Sequence, residues 1–354
     1  MIKRLILLVL SGSFIAGCVS NNQADRQMAE HKMASNAPVS GFNLRENIEQ
    51  SELIMIGTAV SVQPVSGALQ AISTEADTSY DQLFEVILNV DKIIDGTIIE
   101  KQIAVLFIKS DMPSRPWLIF HPGATYLAFL KRYNNAYIPA VITGNTLAIP
   151  RTISYNAVTG EKLASVANVL EQIISNINAS ENPEMLIQVT TARTELHHNF
   201  DFSRLSSVND PLKQMAWITI GLTERNPEAL KALEDVLTLQ NKSASFQTLK
   251  SLAIQQIPFF NSPEYCEPVS RFLQLPDTEV NLAAVTALRK MHSKQATATL
   301  IHALKHQDQS VRFQSVMGLS ELYEDVCEKP SFELYEQKEK YYLYIWERWW
   351  LSQK

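Results

Sequence analysis

Apolar positions along this chain change period twice. Between about residues 46 and 155 they come in short runs or in alternation. ELIMIGTAVSV (52–62) is apolar and β-branched, and LFEVILNVDKII (83–94) alternates through Phe84, Val86, Leu88 and Val90; QIAVLFI (102–108) and TYLAFLKRY (125–133) follow. Runs of this length bounded by turn residues predict strands. Asp95-Gly96 supplies hairpin chemistry, and loops carrying Pro113, Pro116, Pro122 and Gly123 separate the later runs. YIPAVI and TLAIP end the set as short edge-like pieces, because Pro139 and Pro150 lack the N–H that a ladder needs. Strands of this number and spacing predict a small closed or partly open β-barrel.

After Gly160 the period lengthens to three and four, as in KLASVANVLEQIISNI (162–177) and PEMLIQVTTARTELHH (183–198), which predicts helices to the end of the chain. From residue 209 one pattern recurs. Val280, Ala284, Ala287 and Leu288 define it; Val311, Ser315, Gly318 and Leu319 repeat it, and Ala244, Thr248, Ser251 and Leu252, and Leu212, Ala216, Thr219 and Ile220, are the upstream copies. Their starts are 32, 36 and 31 residues apart, and three positions before each lies Asn209, Asn241, Asp277 or Asp308, an N-cap or its neighbour. Partner helices run between them in NPEALKALEDVLTLQ, SPEYCEPVSRFLQL and KQATATLIHALKHQ. One helix pair cannot bury its own apolar face, whereas a stack can, so the pattern predicts a solenoid.

These units, and above all the fragment Asp308-x-x-Val311-Arg312, resemble HEAT repeats, especially the short kind found in bilin-lyase-like proteins. Asn281, Ser245 and Lys213 replace Arg312 in the other copies, so an arginine ladder is incomplete. No activity comes with that resemblance, since one fold hosts many functions. Upstream, the order SELIMIGTAVSV, FEVILNVDKIIDGTI, IAVLFI, HPGATYLAFLKRY resembles the OB-fold domain of the tissue inhibitors of metalloproteinases and their netrin-like relatives over residues 46–150. Those inhibitors place a free N-terminal cysteine on the protease zinc and are stapled by disulfides; this segment has no cysteine, so the resemblance implies the fold and not the inhibition.

The ends refine this picture. Lys3 and Arg4 precede an apolar run, LILLVL (5–10), too short to span a bilayer comfortably, and Ile15-Ala16-Gly17-Cys18 follows. This resembles a bacterial lipoprotein signal (1–17) whose lipobox cysteine, Cys18, carries a diacylglyceryl group and usually a further acyl chain such as palmitate. Two or more chains hold a protein stably on a membrane. Val19 in place of an Asp favours the outer membrane, facing the periplasm. Residues 19–43 are polar and aperiodic, a tether with a mean reach of roughly 25–30 Å. At the other end, Tyr342, Ile345, Trp346 and Trp349 form one stripe of a helix that caps the solenoid, or alternatively serves as an aromatic docking or membrane-interface surface. The expected organisation is signal 1–17, lipidated Cys18 and tether 18–45, OB-like β-domain 46–155, helical HEAT-like domain 160–325 and aromatic capping helix 326–354, an α+β multidomain chain.

Charge and chemistry narrow the function. A formal charge of −6, or −8 once Lys3 and Arg4 leave with the signal, offers no basic surface for nucleic acid. His302 and His306 stand at i and i+4, but HALKH lacks the Glu of a zinc-hydrolase motif, and their apolar neighbours leave both solvated. Glu195, His197, His198 and Asp201 form the densest polar cluster, in a turn that is either structural or a catalytic or metal site. Cys266 and Cys327 are expected as buried free thiols in helices, with a disulfide as the alternative in an oxidising periplasm. Trp117 and Phe120 are the nearest candidates for a ligand platform on the barrel, against core or loop packing. No nucleophile elbow, phosphate loop or Cys-x-x-Cys pair occurs. The expectation is a non-enzymatic envelope lipoprotein without cofactor or metal, binding a protein or peptide through its solenoid. The alternatives are an enzyme or metal protein built on Glu195, His197, His198 and Asp201, and a ligand or glycan sensor built on the barrel. Replacing Cys18 with Ser is expected to release the protein from membranes or leave the precursor uncleaved; unchanged fractionation and processing would sink the lipoprotein reading.

Overall fold

The computed structural model describes residues 43–65, 81–110, 120–140, 146–149, 161–198, 200–238 and 241–353. Cys18, Trp117 and most of the tether lie outside them. The chain divides after His198 into two compact units.

The first unit opens with a short helix, α1 (Leu44–Gln50), capped by Asn43, whose side chain accepts from the Glu46 N–H. Six strands follow: β1 (Leu53–Pro64), β2 (Asp81–Asp95), β3 (Gln102–Ser110), β4 (Thr125–Tyr133), β5 (Ala136–Pro139) and β6 (Thr146–Ile149). Five of them close a barrel in the order β1-β2-β3-β5-β4-β1, with β6 added on β4. Closure comes from β1, which pairs antiparallel with β2 on one side and with β4 on the other, from Leu53↔Leu130 to Thr58↔Thr125. Among the described residues the one parallel contact joins β3 to β5 at Val105↔Tyr137. Three register irregularities in the β1–β2 ladder supply the bending that a strand shared by both sides of a small barrel needs. The expected turn holds: Gly96 has φ +91, and a Cβ there would meet the Glu52 carbonyl at 2.4 Å.

Inside the barrel, Phe84 stacks on Phe107 at 5.5 Å, and Phe107, Phe120 and Tyr126 continue edge-to-face at 4.8 Å each. The uninterrupted apolar run of β1 has a separate cause. Leu53 and Met55 belong to the lumen cluster, as do Ala128 and Leu130 of β4. Ile54, Ile56, Leu127 and Phe129, which alternate with them, are buried as well. Two strands buried on both faces over Leu53–Ala59 and Thr125–Leu130 require a cover there, and α1 packs on β4 while α2 (Lys162–Asn176) packs on β2 and α3 (Pro183–Thr194) on β6.

The boundary expected at residues 155–160 therefore moves to 198. Helices α2 and α3 cover the barrel instead of opening the solenoid. Lys162 bonds the Ser51 carbonyl (2.5 Å) and pairs with Asp95 (3.3 Å), and Arg193 and Glu171 pair in the helix hairpin at 3.0 Å, both buried. The tether is shortened likewise, since α1 is part of this unit. Asn43 followed three residues on by Glu46 was a legible capping signal.

The second unit is a stack of four helix pairs. The A helices are α4 (Pro211–Thr223), α6 (Ala244–Ile254), α8 (Thr278–Lys290) and α10 (Gln309–Leu322); the B helices are α5 (Pro227–Leu237), α7 (Cys266–Arg271), α9 (Thr297–Ala303) and α11 (Phe332–Ser352). Each A helix packs on the next, and the B row runs alongside. Small residues permit this approach: a Cβ on Gly318 would sit 3.1 Å from Leu300 Cδ1 and 3.3 Å from Arg289 Cβ. The N-caps are Asp210, Ser243, Asp277 and Asp308, each bonding a first-turn N–H.

These caps correct the copy containing Ala244. Ala244 and Thr248 are exposed, and Phe246, Leu249, Ala253 and Ile254 are buried in their place, so that copy starts two residues later; the Leu212 copy moves one residue on, and the cap-aligned starts are 33, 34 and 31 residues apart. Counting from the caps exposes a rule hidden by the misalignment. The fourth residue after each cap donates from its side chain to the backbone carbonyl two residues before that cap: Gln214 to Val208 (2.7 Å), Gln247 to Asn241 (2.7 Å), Asn281 to Leu275 (3.1 Å) and Arg312 to His306 (2.7 Å). The ladder expected to be incomplete in arginine is complete in donors. Between pairs, Lys250 meets the cap Asp277 and Arg289 forks onto Glu321 (2.6 and 2.8 Å); within the last pair, Arg312 meets Glu339 at 2.6 Å.

Asn281 is buried and also bonds the Phe272 carbonyl at 2.7 Å. Asn281→Ala is expected to cost about 1–3 kcal/mol by leaving buried polar groups unpaired, and Gln247→Ala, at an exposed position, less than about 1 kcal/mol. Urea unfolding of the two variants checks the contrast; equal losses would mean the ladder carries no burial-dependent role.

Candidate functional site

The residues singled out in the sequence do not assemble into one chemical site. Glu195 ends α3, and its Oε2 accepts from the Leu44 N–H at 3.2 Å, capping α1 from 151 residues away. Burial pushes its carboxyl above the ordinary value, and the Leu44 hydrogen bond opposes that rise. His197 turns the chain with φ +46, while the His198 carbonyl accepts from Arg193 Nη2 at 2.8 Å. Asp201 lies past the division between the units and caps the 3-10 helix Phe202–Ser207 through Ser203 N–H at 3.1 Å. Among the described residues no three of His, Cys, Asp or Glu are grouped so as to hold a metal ion.

The other candidates divide. His302 is exposed as expected, but His306 is half-buried and bonded at both nitrogens. Its Nδ1 accepts from the Asp308 N–H at 3.0 Å, which leaves the proton on Nε2, 2.9 Å from Asn281 Oδ1. The expectation that both histidines are solvated fails at His306 because the residue sits beside an N-cap, where backbone donors gather. Cys266 and Cys327 are buried free thiols. Cys266 lies in α7, whereas Cys327 lies in the bend after α10, outside any helix. Phe120 is 3% exposed and part of the barrel core, so it forms no ligand platform.

What remains is surface, and the solenoid organises it. Lys231 and Asp235 of α5, Glu267 and Arg271 of α7, and Ala298 and His302 of α9 stand exposed along successive B helices. At the last B helix the character changes: Tyr341, Tyr344 and Leu351 of α11 are 57%, 55% and 68% exposed, while Tyr335, Tyr342 and Trp346 are buried. The A-to-B turns carry cations against aromatic rings, Lys290 over Phe259 (5.6 Å) and Lys294 over Tyr323 (5.7 Å). A row of exposed side chains on stacked helix pairs can take up an extended partner, with specificity set by spacing and charge.

Residues 237–320 match the family model for HEAT repeats. The match runs from the last residue of α5 into α10 and takes in the donors Gln247, Asn281 and Arg312. Among curated proteins no match to the chain was found. The helix pairs that extend beyond the matched span contain α4, which obeys the same cap-and-donor geometry, and α11, which closes the row. Sequence reasoning missed the Asn281–His306 contact and the donors Gln214 and Gln247. Testing the repeat on polar positions as well as apolar ones would have found the donors.

The Glu195 environment sets a pH dependence. Its folded carboxyl holds a proton more tightly than the unfolded one, so its contribution is full below the ordinary glutamate value and is lost as pH rises through the raised value. Relative to the always-neutral Glu195→Gln variant, the wild type is therefore expected to lose stability across that mildly acidic window. Thermal melts of both proteins against pH check it; a wild type that gains on Glu195→Gln as pH rises would contradict it.

Proposed function

We propose that this protein is a lipid-anchored, non-enzymatic scaffold of the bacterial cell envelope, held through Cys18 on the outer membrane and facing the periplasm. Its HEAT-repeat unit binds another protein or a peptide. The observation that carries this reading is the B row, whose outward side chains stay exposed from α5 to α9: Lys231 and Asp235, Glu267 and Arg271, Ala298 and His302. HEAT repeats in the matched span are consistent with protein partners. Barrel closure in the order β1-β2-β3-β5-β4 supports the OB-like, netrin-like reading of the first unit.

The test is site-specific photocrosslinking in intact envelopes. Full-length chains with a photoreactive residue at Lys231, Glu267 or His302 are expected to give adducts of one common mass, and a chain labelled at Thr248 of α6 is not. Absence of adducts along the B row, or the same adducts from Thr248, would overturn the proposal.

A further inference from the structure

The last repeat of a solenoid normally ends in a polar outer face, because no neighbour covers it. Helix α11 departs from that rule. Its largest exposed side chains after the bend at Lys338 (φ −127, ψ 26) are Tyr341, Tyr344 and Leu351, with Arg348 between, its guanidinium 5.7 Å over the Tyr344 ring. The spacing of Tyr341, Tyr344, Arg348 and Leu351 is three, four, three, the a/d repeat of a coiled-coil seam. At about 100° per residue the buried stripe of Tyr342 and Trp346 lies on the far side of the helix. One helix thus carries two apolar stripes, of which the solenoid uses one.

We propose that the unused stripe joins two copies of this chain through antiparallel pairing of their α11 helices. Charge selects this occupant and this direction. Parallel pairing would set Arg348 against Arg348 at an inward position. Antiparallel pairing centred between Tyr342 and Leu343 sets Tyr341 against Tyr344 of the second copy, twice by symmetry. It also brings Lys340 beside Glu347 of the second copy at the positions flanking the seam, twice by symmetry. Shifting the centre to Trp346 would bring Glu347 against Glu347 instead. A lipid surface fits less well, because the flanking charges are mixed in sign, whereas interfacial helices carry basic flanks. A foreign helix would not be expected to match a pattern that is complementary to itself. This inference is independent of the scaffold reading, which concerns α5 to α9.

Sedimentation equilibrium of the full-length chain in density-matched detergent tests the pairing. The wild type is expected to be a concentration-dependent dimer. Lys340→Glu or Glu347→Lys alone creates two repulsions per dimer and weakens association about tenfold. The double variant K340E/E347K restores it, and Tyr344→Ala weakens it without changing the circular dichroism spectrum. A wild type that stays monomeric throughout overturns the proposal, as does a dimer insensitive to these changes or unrescued by the charge swap. A monomer whose tryptophan emission shifts on vesicles would assign the stripe to lipid instead.

Discussion

Each A helix of the second unit starts beside a turn whose carbonyl has left one helix pair and not yet joined the next. A buried or half-buried carbonyl without a donor is costly, and a first-turn side chain is the group within reach. Gln214, Gln247, Asn281 and Arg312 all answer that need over the same six-residue span. The requirement is for a donor of sufficient length and not for a particular residue, which is why the position varies between Gln, Asn and Arg. With the caps Asp210, Ser243, Asp277 and Asp308 it sets where each pair begins, and so which face of each A helix meets its neighbour.

Much of the architecture was legible because apolar period reports burial directly. The helical spacing of residues 278–322 lies where one face is buried and one is not, and the alternating Phe84, Val86 and Leu88 of residues 83–94 all enter the barrel core. Legibility failed where that contrast vanished. Helices α2 and α3 carry apolar residues at the same three- and four-residue spacing as the repeats, and only tertiary contact shows that they cover a barrel instead of a neighbouring repeat. The copy at residues 244–252 was misplaced because Ala and Ser are small enough to suit either a packed or an exposed position. Phe246, two residues on, was the stronger anchor.

Chemistry was harder to read than shape. Glu195, His197, His198 and Asp201 are dense in sequence, yet one caps a distant helix, two shape a turn and one opens the next unit. Polar density near a chain junction reflects the many backbone groups that need partners there. His306 illustrates the converse: a histidine that looks solvated from its helix alone becomes a fixed link once the A helix of its own pair supplies Asn281.

The bond between Leu44 and Glu195 has a geometric result. The first described turn of the barrel unit and the last turn of its cover are neighbours, so the chain enters and leaves this unit at one place. A pull applied along the backbone from residue 43 towards residue 198 would be borne by that short bridge and would bypass the barrel. The β-strands hang to one side of the line of force, like a bead on a knot. Load would reach them only after the α1–α3 clasp had opened.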